Sequence, residues 1–303
     1  MGYNGQACRR RGPSRERPNQ EEATLLDHTV LVKAAHDLAP LPPAVVRLAA
    51  LVGKGTYSAD DVEAIVRLDA PLTLRLLQYA NSAANAGHMP IGTVRDAVTR
   101  VGVGPLLSFA TASNLRPDLI RAIPAYGLSE GDLWRHSVAA ALATEVIAQS
   151  VMVDVPADAF TVGLLHDIGK LTLARFLEPD HLRLLATARE EGGESSLRAE
   201  VEILGVHHGE LGGLIASHWN LPSRIVRGIT YHHAPSAGCD VICDVAHIAN
   251  VLAKRAGTGH VAMASDLDPE PDALERLGLA AGRLAKLEEK VKGRLEEAVA
   301  RFG

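Results

Sequence analysis

The chain has 303 residues, 47% hydrophobic and 22% charged, with a formal net charge of −5. This supplies a large core and excludes a strong general attraction to nucleic acid or acidic lipid, and an aromatic content of 4% argues against a stacking platform for single strands. No apolar run reaches the roughly 18 residues of a transmembrane helix. The N-terminus carries no secretory signal pattern, and the irregularly spaced Cys8, Cys239 and Cys243 read as free thiols of a reducing cytoplasm.

Residues 1–22 are polar and basic, with Arg9-Arg10-Arg11 among them, and are expected to be a disordered tail. Helical signals then follow in succession. "LPPAVVRLAALVGKG" opens on prolines and stops at glycines, and "SADD" resembles a capping box ahead of "VEAIVRL". Asp69-Ala70-Pro71 breaks the chain before "LTLRLLQYANSAA". Thr93 caps "VRDAVTRVG", and Gly104-Pro105 starts "LLSFATASNL". From Arg116 to Gly131, Pro117, Pro124 and Gly127 mark a connector.

The second half begins with the alanine-rich helix "LWRHSVAAALATEVIAQS". It continues through "PADAFTVGLLHDIGKLTLARFL", read as one buried helix, then "SLRAEVEILGVHHGELGGLIASHWNLP", "SRIVRGITYHHAP" and "CDVICDVAHIANVLAKRAG". The stretch from Asp272 onward has the spacing of one or two amphipathic helices. No period-2 strand pattern and no strict internal repeat is present, so the expected fold is all-α.

The chemistry concentrates in this half. His136, His166, Asp167, His208, His232 and His233 each lie in or at the end of an apolar helical segment. One buried histidine is more often a hydrogen-bonded core residue than a ligand. Five histidines and an aspartate on successive helical pieces can instead converge in a bundle core, where metal sites are built. Such donors suit iron, manganese, zinc or nickel. Neighbours on a helix point about 100° apart, so His166 and Asp167 serve one ion only if it lies between their two directions. Of His232 and His233, one is expected to face inward and the other to support the inner residues from behind or to be exposed. His208 is expected to be the inner member of His207-His208, with Gly212 and Gly213 allowing close helix approach. His181 and His218 read as surface residues, and His28, His36 and His88 fall outside the constellation.

"LWRHSVAAA", "VGLLHDIGK", "LGVHHGELGGLIASHWNLP" and "YHHAP" together resemble the HDOD family of the HD phosphohydrolase superfamily. In the first half, "LPPAVVRLAALV", "IVRLDAPLTLRLLQYANSA" and "MPIGTVRDAVTRVGVGPLLSFA" resemble the helices that precede the HD-like part in that family. The resemblance implies an all-α fold of an N-terminal helical half (23–116) packed on an HD-like half (128–257), with 258–303 as a C-terminal extension. It also implies a bacterial signalling or regulatory role. Metal-dependent HD enzymes of the wider superfamily end their ligand set with an aspartate where this chain has Asn250, in "HIAN". The dinucleotide phosphodiesterase branch carries Gly-Tyr-Pro after its histidine pair, where this chain has "HHAPSAGCD".

Two functions follow as expectations. The first is a non-enzymatic signalling module that binds a protein partner or a nucleotide-like ligand, with the histidine cluster as a structural or ligand site. The second is a metal-dependent phosphohydrolase. There His136, His166, Asp167 and one or more of His208, His232 and His233 would hold the ion, which acidifies a bound water and polarises a phosphoryl oxygen. Asp167 and Lys170 are the catalytic candidates. Lys170, a turn beyond His166, would contact the phosphate or simply extend its ammonium from a helix end.

Overall fold

The computed structural model describes residue 33 and residues 38–82, 89–176, 196–259 and 264–302. The expectations for the tail, Cys8, His28, His36, His88 and His181 lie outside the described residues. From residue 38 onward the described residues open with α1 (Pro43–Gly53), α2 (Ala59–Val66), α3 (Ala70–Ala80), α4 (Val94–Val101) and α5 (Val103–Leu119). Their starts follow local chemistry. Ser58 and Asp61 exchange both bonds of a capping box, the Asp69 carboxylate accepts from the Leu72 N–H, and the Thr93 hydroxyl accepts from the Asp96 N–H.

α5 does not stop at the expected connector. It runs through Pro117 to Leu119. Pro117 is exposed in the last turn, where water can satisfy the carbonyl whose partner proline removes. A 3-10 turn at Pro124–Tyr126 and an isolated bridge between Ile123 and Leu128 follow, and no strand occurs among the described residues.

The second half comprises α6 (Asp132–Ala148), α7 (Ala159–Leu165), α8 (Gly169–Phe176), α9 (Ser196–Leu204), α10 (His208–His218), α11 (Ser223–Thr230), the short α12 (Pro235–Gly238) and α13 (Val241–Arg255). After Ala264–Leu267, a 3-10 turn, come α14 (Pro271–Arg276) and α15 (Leu284–Phe302). Gly278, at φ 63°, ends α14 and divides the amphipathic C-terminal stretch into two helices.

One apolar core runs from Val45, Leu72 and Leu106 of the first helices through Leu165 and Leu211 to Ile225 and Ile242. A second core fills the space among α6, α13, α14 and α15. α6 is central because its alanines admit close neighbours. A Cβ on Gly163 of α7 would lie 2.9 Å from the Ala140 carbonyl oxygen and the Ala141 Cα. The helices that frame the cluster are thereby held backbone to backbone, a geometry that larger side chains would forbid.

The segment read as one buried helix is two. α7 stops at Leu165 and α8 starts at Gly169, with His166, Asp167 and Ile168 in the turn between. His166 and Asp167 are therefore free of the angular constraint of a continuous helix. Cys243 is a buried free thiol, but Cys239 is disulfide-bonded, so the expectation of three free thiols fails there. Cys239 is exposed just after α12. No described helix is long and apolar enough to cross a membrane.

Candidate metal centre

Four imidazoles are oriented from behind. A helix end leaves carbonyls without partners, and two of the rings take them. His166, just past α7, donates Nδ1–H to the Gly163 carbonyl at 2.7 Å, and His232, just past α11, donates Nδ1–H to the Ile229 carbonyl at 2.7 Å. His208 opens α10. Its backbone N–H reaches Glu200 Oε2 at 2.7 Å, and its Nδ1 lies 2.8 Å from the same oxygen. His136, within α6, has Nδ1 3.2 Å from the Thr258 hydroxyl oxygen. That hydroxyl gives its own proton to the Ala253 carbonyl at 2.7 Å, so its oxygen accepts from His136.

In all four rings the outer nitrogen carries a proton, and in His136, His166 and His232 the inner Nε2 presents a lone pair. These inner nitrogens converge on Asp167, which is 1% exposed. His136 and His166 Nε2 each lie 3.5 Å from Asp167 Oδ2, while His208 and His232 Nε2 lie 3.1 and 3.9 Å from Oδ1. His233 completes the set with Nε2 2.9 Å from His208 Nε2. The donors form two groups that share Asp167: His136, His166 and Asp167, and Asp167, His208, His232 and His233.

The electrostatics are strongly biased. Burial pushes His136, His166, His232 and His233 below the usual imidazole range, so all four are neutral at pH 7. Burial also opposes ionisation of Asp167, but Lys170, with Nζ 2.6 Å from Oδ2, and the surrounding imidazoles outweigh it and hold the carboxyl well below its ordinary range. His208 goes the other way: burial disfavours its charge, yet Glu200 and Asp167 on either side raise its pKa overall. Burial, and then the Glu200 charge, raise the Tyr126 phenol well above its usual range.

Every sequence-derived candidate lies at this centre, and some are placed differently from expectation. His208 is the inner residue, whereas His207 caps α10 by accepting from the Gly209 N–H at 3.1 Å. The glycines that follow do allow close approach, since a Cβ on Gly212 would lie 2.9 Å from Ile229 Cγ2. Both His232 and His233 face the cluster, so neither is the exposed ring that the sequence left open. The reason is the end of α11 at Thr230, which lets the two rings turn independently. Asn250 on α13 places Oδ1 3.1 Å from His136 Nε2. His218 is exposed.

Sequence reasoning missed Glu200, Thr258, His247 and Lys254. Glu200 stands eight residues before His208 and is fully buried, an unusual place for a carboxylate without a partner to hold. His247 and Lys254 lie three residues before and four after Asn250, spacings that share its helix face.

The residues fit a cation. His136 and His166 are neutral with lone pairs opposed across 3.2 Å, and Asn250 adds a third acceptor. Asp167 Oδ1 and His232 Nε2 are buried without any hydrogen-bond partner. Buried acceptors facing one another are costly unless a proton or a metal ion lies between them.

The HDOD domain profile matches residues 38–235. An uncharacterised protein of Treponema pallidum (strain Nichols) is 24% identical over 202 residues, 65% of this chain, and the chain spans 38% of that relative's length. Among solved structures, an HDOD domain protein of unknown function from Geobacter sulfurreducens covers 88% of this chain and 98% of its own, at 21% identity and TM-score 0.62. A protein of Shewanella amazonensis SB2B, provisionally described as a phosphohydrolase, covers 88% and 95% at 24% identity and TM-score 0.64. A provisionally described signal transduction protein of Marinobacter aquaeolei VT8 covers 92% and 66% at 19% identity and TM-score 0.69. These structural likenesses are likenesses of fold.

Proposed function

The chain belongs to the HDOD family, and from that premise we propose that it is a signal-transduction protein that acts by binding, with a divalent transition metal and a nucleotide-like phosphorylated ligand meeting at the Asp167 centre. The carrying observation is the set of four imidazoles locked from outside with their inner nitrogens turned on one carboxylate. His136, His166, His208, His232, His233 and Asp167 would hold the metal, which supplies Lewis acidity toward a phosphoryl oxygen when bound.

The chain's own cations favour an anionic ligand beside it. Lys170 sits on Asp167, and Lys254 is half-buried with no ion pair or hydrogen bond among the described residues. Lys254 lies one turn beyond Asn250, and its charge is felt at His136 and His233, which puts its ammonium on the cluster's side of α13. An ammonium largely withdrawn from water, on which Asp266 and Asp167 act only through space, is a ready partner for phosphate.

Asn250 supports binding over turnover. It offers a neutral amide where metal-dependent HD enzymes carry a carboxylate, and Lys170 engages one of the two Asp167 oxygens. The competing phosphohydrolase reading draws support from the two donor groups that share Asp167, an arrangement suited to two ions.

The test loads purified protein with iron, manganese, zinc and nickel in turn, measures metal content, and titrates inorganic phosphate by calorimetry. Phosphate should bind the loaded form, about tenfold more weakly in Lys254→Ala, with no turnover of cyclic di-GMP or bis(p-nitrophenyl) phosphate. Sustained hydrolysis that disappears in Asp167→Ala establishes the phosphohydrolase reading instead.

A further inference from the structure

The loop that carries His232 and His233 is gripped by a segment outside the HDOD match. The match ends at residue 235. His247 of α13 donates Nδ1–H to the His232 carbonyl at 2.8 Å, and its Nε2 accepts the Glu270 backbone N–H at 2.9 Å. Both ring nitrogens of His247 are thus committed, and a continuous chain of hydrogen bonds joins the start of α14 to the backbone of His232.

A second connection runs in parallel. Arg276 of α14 forms a fork with the fully buried Asp244, with Nε 2.9 Å from Oδ2 and Nη2 2.5 Å from Oδ1. The same guanidinium donates through Nη1 to the Ser236 hydroxyl at 3.2 Å, and Ser236 Oγ lies 3.2 Å from Glu270 Oε2. Ser236 is three residues beyond His233. The loop is therefore held on both sides of the histidine pair, by contacts that reach back to residues 270–276.

We infer that His247 and Arg276 are positioning residues, and that docking of segment 264–276 is linked to cation occupancy of the Asp167–His208–His232–His233 group but not of the His136–His166–Asp167 group. The metal half of this inference rests on the function proposed above; the brace itself does not. The asymmetry follows from connectivity. His136 and His166 are oriented by the Thr258 hydroxyl and by the Gly163 carbonyl at the end of α7, and neither of these groups is a partner in the hydrogen bonds that run to residues 270–276. By reciprocity, whatever binds or displaces the C-terminal segment changes metal affinity in one group, and metal there tightens the segment.

Glu270→Pro tests the brace. Glu270 has φ −57°, a proline value, so the substitution deletes the N–H that His247 accepts together with the carboxylate that Ser236 meets, and leaves the Asp244–Arg276 fork in place. Ser236→Ala is the second variant and removes only the hydroxyl link. In metal-free protein, amide hydrogen exchange over residues 231–238 should be faster in both variants than in wild type. In manganese or zinc titrations, wild type should take up two ions, and the variants should bind one of them about tenfold or more weakly with the other unchanged. Unchanged exchange in both variants overturns the brace. Faster exchange with equal affinities, or equal weakening of both ions, overturns the linkage. A wild type that binds no ion overturns the metal reading and the linkage with it, a result told apart from failure of the brace by the exchange data.

Discussion

The backbone of Gly169 is pressed against the carbonyl oxygen of His208 so closely that a Cβ at position 169 would overlap it. This contact explains the glycine two residues after Asp167. α8 must start where α10 starts, because Asp167 and His208 have to meet. Gly169→Ala should cost about 3 kcal/mol, since backbone rather than a flexible side chain blocks the new methyl. Urea unfolding of wild type and variant measures it, and equal midpoints would refute the close-packing account.

Asn250→Asp places a carboxylate 3.1 Å from His136 Nε2 and near Asp167. Metal-free, the variant should melt below wild type, because two buried carboxylates then share one site. Loaded, it should bind metal about tenfold more tightly and gain more in melting temperature than wild type does. Identical responses of the two proteins to metal would show that the amide oxygen takes no part in the centre.

Asp158 has both carboxylate oxygens buried without a hydrogen bond, and Arg224 Nη1 is 4.0 Å away. Burial raises its pKa above the ordinary 3.8, and Arg224 only partly offsets this. The folded state therefore holds this proton more tightly than the unfolded chain. Its favourable contribution is complete below pH 3.8 and is lost as pH rises through the folded pKa. Asp158→Asn should melt higher than wild type at pH 7, and the gap should shrink toward pH 4. A gap independent of pH would mean that Asp158 does not ionise in this range.

Cys243 is buried on α13, and burial pushes its thiol up to about 12. Native protein treated with iodoacetamide at pH 8 should leave Cys243 unmodified until denaturant is added, because both thiolate and access are missing. Rapid native labelling, mapped by mass spectrometry, contradicts this.

Helix starts were legible because they are written in short-range chemistry. Ser58–Asp61 and Thr93 cap where the residue types say they should, and Asp69, read as part of a break, caps the helix that follows it. The break at His166–Ile168 was not legible, because "VGLLHDIGKLTL" is apolar throughout and its division is imposed by packing of Gly163 on α6 and Gly169 on α10. The inward histidines could be named from the sequence, but not their anchors. Glu200 and Thr258 are ordinary polar residues in the chain and acquire meaning only when the fold sets them behind His208 and His136. His247 hid in plain view three residues before Asn250, since nothing local signals that its ring reaches the His232 carbonyl.

The rings of His166 and His232 close the last turns of α7 and α11 by taking the carbonyl three residues back. Each ring thereby counts residues. One residue added to either helix would swing its ring by about 100° and carry the inner nitrogen off the centre, while the helix itself lengthened at almost no cost. The two helices have lengths set by the donors at their ends, so the spacings from Ala159 to His166 and from Ser223 to His232 are quantities the chain cannot vary by a single residue, even though the surfaces of both helices can change freely.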